Sequence, residues 1–281
     1  VTRSGSGLDQ WTPEIRFGSY GSRSFSVAYD RGYGKTSFIS SLGHANSNGH
    51  RFNSGYEQTR FSLKINRSLS NDQKIQLSYL GCNSFNGQPG FVYPDNPGLI
   101  SYRESYRFSN YLQLYYKRLI NEYLFSVSLA TNHFKTDYKD RDDTPVDDLR
   151  DNTNYREHSY MARAQLQRFF NDGDNIIIGS EISLDQSRSN VLRNIYEQPE
   201  QKTSAGFAKY RMQLRDNLIL DMGMRYDYRD VTGGEGYSIK SFQAFSPKIS
   251  LIHNMNSSLI TYLSYNKGFR APSISELFLE Y

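Results

Sequence analysis

Residues 218–227 read Leu218-Ile219-Leu220-Asp221-Met222-Gly223-Met224-Arg225-Tyr226-Asp227. Leu218, Leu220, Met222, Met224 and Tyr226 fall on alternate positions, and Asp221, Arg225 and Asp227 stand between them. Successive side chains of a strand point to opposite faces, so this period of two predicts a strand with one apolar and one charged face. The pattern recurs upstream. Phe61, Leu63 and Ile65 alternate with Arg60, Ser62, Lys64 and Asn66, and residues 74–79, 112–116 and 123–129 repeat it. Further candidates lie at 14–17, 25–29 and 35–45. No helical period of comparable strength appears, and the chain reads as all-β with about 13 strands.

The connections between these strands fall into two sets. Tight ones lie at 33–34, 71–72, 120–121, 172–173, 216–217 and 255–256; long ones lie at 47–57, 84–104, 140–157, 188–202 and 230–241. The two sets alternate along the chain. In an up-and-down antiparallel sheet every second connection lies at the same end, so one end carries turns and the other carries loops. This asymmetry predicts a transmembrane β-barrel with its long loops outside the cell. Several strands reach the roughly 9–11 residues that cross a bilayer at a tilt. A soluble meander with its loops gathered at one end is the competing architecture.

Composition fits the membrane barrel. Hydrophobic residues make up 37% of the 281 residues, and mean hydropathy is −0.69. A barrel needs only one apolar face per strand; the other meets a polar lumen. Aromatics are abundant, with 23 Tyr and 17 Phe, which suits interfacial girdles and excludes a disordered chain. Net charge is +4 without a dense basic run, which argues against nucleic-acid binding. Cys82 is the single cysteine, so no internal disulfide or cysteine metal site forms. His44, His50, His133, His158 and His253 make no H-x-x-x-H or H-E-x-x-H pair, and no G-x-S-x-G or phosphate loop is present. No catalytic role and no cofactor are predicted.

The last strand candidate ends in Asn266-Lys267-Gly268-Phe269-Arg270-Ala271-Pro272-Ser273-Ile274-Ser275-Glu276-Leu277-Phe278. Pro272 has no N–H for a ladder, and Ser273 with Glu276 has capping-box spacing, so the strand is predicted to end in a capped helical turn. As a string, Gly268, Phe269, Arg270, Ala271, Pro272, Ser273, Glu276 and Leu277 closely resemble the barrel motif of TonB-dependent outer-membrane receptors of the siderophore, cobalamin and colicin-receptor type. Phe245-Ser246-Pro247-Lys248-Ile249-Ser250, one strand earlier, also resembles that family.

The resemblance implies a barrel of about 22 strands around an N-terminal plug. The chain then reads as a fragment: residues 1–11 as a linker from a missing plug, and residues 12–281 as part of the barrel. It implies energy-coupled uptake of a scarce nutrient such as a ferric siderophore, cobalamin or haem. Implied partners are the nutrient (siderophore or corrinoid), the TonB energy-coupling protein acting through the plug, and the lipid bilayer with its lipopolysaccharide. Implied location is the bacterial outer membrane. A passive porin, a surface adhesin barrel and a soluble extracellular β-rich binding module are the alternatives.

Two loops carry candidate ligand chemistry. In 84–104, Phe91, Tyr93, Tyr102 and Arg103 offer aromatic faces and a guanidinium fork for a flat, anionic ligand; Phe85, Tyr106 and Arg107 stand close by. The girdle and lipopolysaccharide contacts are the competing role for such residues. In 140–157, Asp142, Asp143 and Asp147 are weak calcium candidates, since their spacing is not that of an EF-hand, and an acidic solvated loop is the other reading. In cobalamin receptors an aspartate-rich second outer loop binds calcium. The corresponding residues 47–57 contain no aspartate, a departure from that mechanism.

Overall fold

A computed structural model describes residues 9–89, 103–139, 152–170, 173–190, 199–232, 240–256, 258–270 and 272–278. Thirteen strands follow one another: Gln10–Phe17 (β1), Arg23–Tyr33 (β2), Thr36–Ser47 (β3), Tyr56–Ser68 (β4), Gln73–Gln88 (β5), Arg103–Ile120 (β6), Tyr123–Lys139 (β7), Asn152–Phe169 (β8), Asn175–Ser189 (β9), Glu200–Arg215 (β10), Leu218–Thr232 (β11), Lys240–Asn256 (β12) and Leu259–Asn266 (β13). A five-residue helix, Ile274–Phe278 (α1), closes the described part. The strands form a single antiparallel sheet in the order β1 to β13, each paired with its neighbours in sequence. β1 and β13 are its two edges, so the described sheet is open, as a partial barrel is.

The two-residue turns use the expected chemistry. Gly34 (φ 55°) and Asn121 (φ 52°) supply the left-handed backbone that tight hairpins require. The alternation of short and long connections holds throughout. Its boundaries shift, because the strands are longer than their apolar runs. Residues 84–88, read as loop, pair with β4 or β6, and Arg103, also read as loop, opens β6 opposite Gln88. Asn83, Ser84 and Asn86 have low strand propensity, but β4 and β6 on either side offer hydrogen-bond partners that override it. The long loops at 140–157, 188–202 and 230–241 shorten in the same way. Gln10 and Trp11, read as the end of a linker, are the first residues of β1, where Trp11 stacks on Tyr29 at 4.3 Å.

Cross-strand register assigns every side chain to a face. Arg60 and Lys64 (β4) lie level with Cys82 and Ser78 (β5); those lie level with Ser109 and Gln113 (β6), and so on to Asp221 (β11) and Ser250 (β12). Among the described residues eleven polar or charged residues are buried and only four apolar ones, Pro199, Ala205, Val231 and Ile274. Every buried strand residue, including Ser62, Lys64, Ser126, Ser128, Ser187, Gln201, Thr203 and Asp221, lies on this polar face. Most large exposed apolar residues lie on the other, among them Phe61, Leu114, Phe125, Leu129, Ile178, Ile182, Met224 and Ile249. Leu80, Tyr262 and Ile260, and near the strand ends Tyr56, Leu119 and Phe169, are exceptions that face the polar side. Burial of one face and exposure of the other place the polar face inside the curl of the sheet. This is the reverse of a water-soluble domain, whose apolar side chains are the ones that leave solvent.

One glycine is fixed by packing. Gly179 (β9) lies opposite Phe207 (β10), and an added Cβ would come within 2.4 Å of the Phe207 ring and 2.7 Å of the Ala164 carbonyl oxygen. The ring fills the space the glycine leaves, and the Arg163 guanidinium sits 4.7 Å from its centroid.

Candidate functional site

The inner wall carries two ion-pair clusters. Arg211 donates two hydrogen bonds to Asp221, at 2.9 and 2.7 Å, and Lys209 stands 3.9 Å from the same carboxylate. On the outer-rim side of this pair, Arg225 bridges Glu181 at 3.0 Å and Asp227 at 2.9 Å, and Arg163 lies 3.9 Å from Glu181. Five adjacent strands, β8 to β12, contribute to this polar strip, with Lys248 of β12 on the same face. Nearer the outer rim, Tyr155 shares contacts with Glu157 and Ser187, and Gln201 donates to Asp185 at 3.3 Å. Buried Gln201 Oε1, Thr203 Oγ1 and Ser105 Oγ have no hydrogen-bond partner among the described residues. Such a surface can hydrogen-bond and pair with polar or charged solutes. It holds no aligned nucleophile, base and acid, and no cluster of three metal-ligating His, Cys, Asp or Glu occurs among the described residues.

The motif after β13 turns back onto this wall. The Ser273 N–H and hydroxyl donate to Glu276 Oε2 at 2.8 and 3.1 Å, and the Glu276 N–H returns a bond to Ser273 Oγ at 3.2 Å. This is the predicted reciprocal capping box. Arg270 pairs with the other Glu276 oxygen. The Ser273 donors, with Arg270 beside them, hold the Glu276 carboxyl below its ordinary value. Ile274 is buried against Val231, with Tyr155, Phe242 and Leu277 around it. Val231, Tyr155 and Phe242 belong to the inner face of β11, β8 and β12, so α1 sits inside the curl at the long-loop rim.

The candidates read from sequence separate here. Arg103 stands at the rim, where its carbonyl accepts from Asn53 Nδ2 at 2.7 Å. Phe91, Tyr93 and Tyr102 lie outside the described residues, as do Asp142, Asp143, Asp147 and Ala271. Phe85 and Tyr106 pair on the outer face with ring centroids 5.0 Å apart, and Lys139 covers Tyr106 at 5.2 Å. That outward position fits the girdle role better than a place on the inner wall. Arg107 faces the opposite, inner side. The ion pairs of the inner wall went unread in the sequence, although the alternation of Asp221, Arg225 and Asp227 marks their face.

The family model for the TonB dependent receptor-like β-barrel matches residues 2–281. No curated protein sequence matches the chain. Among solved structures, the FpvAI–pyocin S2 complex aligns with a TM-score of 0.78 at 11% identity, over 94% of this chain and 43% of that one. The ferripyoverdine receptor of the Pseudomonas aeruginosa outer membrane gives 0.75 at 12%, over 94% and 43%. The copper transporter OprC gives 0.77 at 11%, over 94% and 45%. At such identities the likeness is one of fold. The chain spans less than half the length of these three proteins.

Proposed function

The chain belongs to the TonB-dependent receptor β-barrel family, whose members are outer-membrane transporters rather than enzymes, and on that premise we propose that it forms part of the wall of a receptor importing a scarce nutrient by energy-coupled transport. The observation that carries this reading is the inverted burial: polar side chains are enclosed and apolar ones displayed. A wall between lipid and a polar passage needs that distribution. In this reading the nutrient is caught at the outer rim and passes along the inner face. A plug and the TonB protein that pulls on it complete the machine. The barrel does no covalent chemistry.

A ferric siderophore is the nutrient class best supported. The structural neighbours include receptors for ferripyoverdine and ferric catecholates. The inner wall also favours an anion, since Lys64, Arg107, Lys117, Arg229 and Lys248 stand on it besides the bases already paired with carboxylates. A lumen with more bases than acids concentrates anionic solutes and repels bare metal cations. A corrinoid has less support, because residues 47–57 lack the acidic calcium ligands of cobalamin receptors.

We assign the capture surface to Phe91, Tyr93, Tyr102 and Arg103, with the Gly-rich 230–241 segment contributing less. Replacing Tyr93, Tyr102 and Arg103 together by Ala weakens binding by about 1–3 kcal/mol if they form a binding centre. The measurement is equilibrium binding of ferric siderophores and corrinoids to cells carrying the full receptor, with surface level determined in parallel. Unchanged affinity at normal surface level rejects this capture surface.

A further inference from the structure

The bases of the inner wall are paired with carboxylates only along β8 to β11. On β3 to β7 the inner face carries no carboxylate: Glu57, Glu104 and Asp137, the acids of those strands, lie on the outer face. Bases stand there all the same, and two of them meet near the tight turns. Lys74 (β5) lies directly opposite Lys117 (β6). Direct cross-strand neighbours have Cβ atoms about 4.5–5.5 Å apart, and like charges so placed destabilise a sheet. Neither lysine has an ion-pair partner among the described residues. Their other neighbours in the row are neutral, Ser68 beside Lys74 and Ser126 beside Lys117. Of the acids in the adjoining turns, Glu122 pairs with Arg168 at 3.6 Å, and Asp72 makes no ion pair among the described residues.

The wall is hollowed at this point. Asn66 (β4) stands one row further in, diagonal to Lys74, and its Nδ2 is buried with no hydrogen-bond partner among the described residues. Asn66, Lys74 and Lys117 line a depression of about 480 Å³. Lys35 and Arg67 line it as well, and no carboxylate does. A buried amide donor without an acceptor is costly, and so are two facing ammonium groups without a counter-charge. One oxyanion seated between them would relieve both. The site lies far from the rim assigned to capture. Arg103 and Lys117 are fourteen residues apart on β6, roughly 46 Å along a strand. With a tilt of about 45° this is roughly 33 Å, so the depression opens at the tight-turn mouth, the periplasmic one in outer-membrane barrels.

We propose that Lys74, Lys117 and the Asn66 amide form an exit-side binding site for the oxyanions of a small organic solute, met by an anionic cargo at the periplasmic mouth of the passage. The inference rests on the reading that the inner face lines the route of an imported nutrient. The two ammonium groups and the amide donate to one or two carboxylates at once, in charge-assisted hydrogen bonds. Lysine suits a place of transit. Its compact, strongly hydrated ammonium lacks the rigid bidentate fork with which arginine clamps a carboxylate. An organic polyanion spans the depression and reaches all three groups, whereas a single inorganic ion is too small to do so.

The test uses the full receptor in neutral detergent, where both mouths meet solution. Lysines are acetylated briefly with an N-hydroxysuccinimide ester, and peptide mass spectrometry follows Lys74 and Lys117 with citrate, inorganic phosphate or neutral glycerol added. Citrate is expected to protect both lysines at a lower concentration than phosphate, and glycerol should not protect them. Lys74→Gln should raise the citrate concentration that half-protects Lys117 about tenfold, and Asn66→Leu should raise it severalfold. Lys74→Arg keeps the charge and should stay within about twofold of wild type. Reactive lysines that citrate leaves unprotected overturn the proposal. Lysines that resist acetylation with no anion added overturn it in favour of a site filled by a carboxylate of the receptor itself. Protection by phosphate at the same or a lower concentration than citrate overturns it in favour of a free-ion site. Equilibrium binding of ferric siderophores to cells carrying Lys74→Gln should match wild type at equal surface level. A wild-type receptor that binds none of them, yet shows citrate protection, would sink the functional reading and leave the anion site standing.

Discussion

At the residue scale, the direction in which a side chain points decides what a substitution does. Leu220 and Arg225 lie on one strand with opposite facing: Leu220 on the apolar face, Arg225 paired with Glu181 and Asp227 on the inner one. Leu220→Arg places a charge against hydrocarbon and should cost about 2–4 kcal/mol near the bilayer midplane. Arg225→Leu leaves two carboxylates facing a wet lumen and should be tolerated far better. Urea unfolding of the receptor in lipid vesicles checks this; equal losses at the two positions would reverse the face assignment. Gly179→Ala should also destabilise, because Phe207 and the Ala164 carbonyl leave no room for a methyl group. Glu276 gives a pH-dependent case. Its carboxyl is held below its ordinary value by Ser273 and Arg270, so the stabilisation is present above the unfolded carboxylate range near pH 4 and is lost as pH falls through the lower, folded one. Amide exchange at Glu276 and Leu277, corrected for intrinsic rates, should therefore rise in acid. Glu276→Ala should show fast exchange at every pH; slow exchange in that variant would mean that the capping box does not hold α1.

At the element scale, what the sequence made legible and what it hid have different physical causes. The period-two runs at 60–66, 123–129 and 218–227 form parts of β4, β7 and β11 as read, because outward apolar residues and inward polar ones alternate there. The rims were harder. Residues 84–88 look like a loop by composition, yet they extend β5, since pairing with neighbouring strands satisfies the backbone whatever the side chains prefer. The capping box at Ser273 and Glu276 was legible from spacing alone. Where it docks was not, because the contact between Ile274 and Val231 joins residues whose proximity depends on the whole sheet curling. The same holds for the ion pairs of the inner wall. Alternation shows that Arg163, Glu181 and Arg225 face one way, and only register shows that they meet. The ligand candidates Phe91, Tyr93 and Tyr102 rest on residue chemistry alone.

At the scale of the molecule, the account stands on one claim: the apolar face of the sheet meets hydrocarbon and the polar face meets water. The two unpaired edges, β1 and β13, are aggregation hazards in water unless further strands continue the sheet. A protein built this way should fractionate with outer membranes and stay monodisperse only in detergent; a stable monomer in plain buffer would contradict it. The claim is tested most directly by spin labels placed singly at consecutive positions from Leu218 to Tyr228 in the receptor reconstituted in bilayers. Collision with dissolved oxygen reports lipid, and collision with a water-soluble nickel chelate reports the lumen. The account predicts two interleaved profiles, with oxygen dominant at 220, 222 and 224 and the nickel chelate dominant at 221, 225 and 227. Equal nickel access at both sets of positions would contradict it.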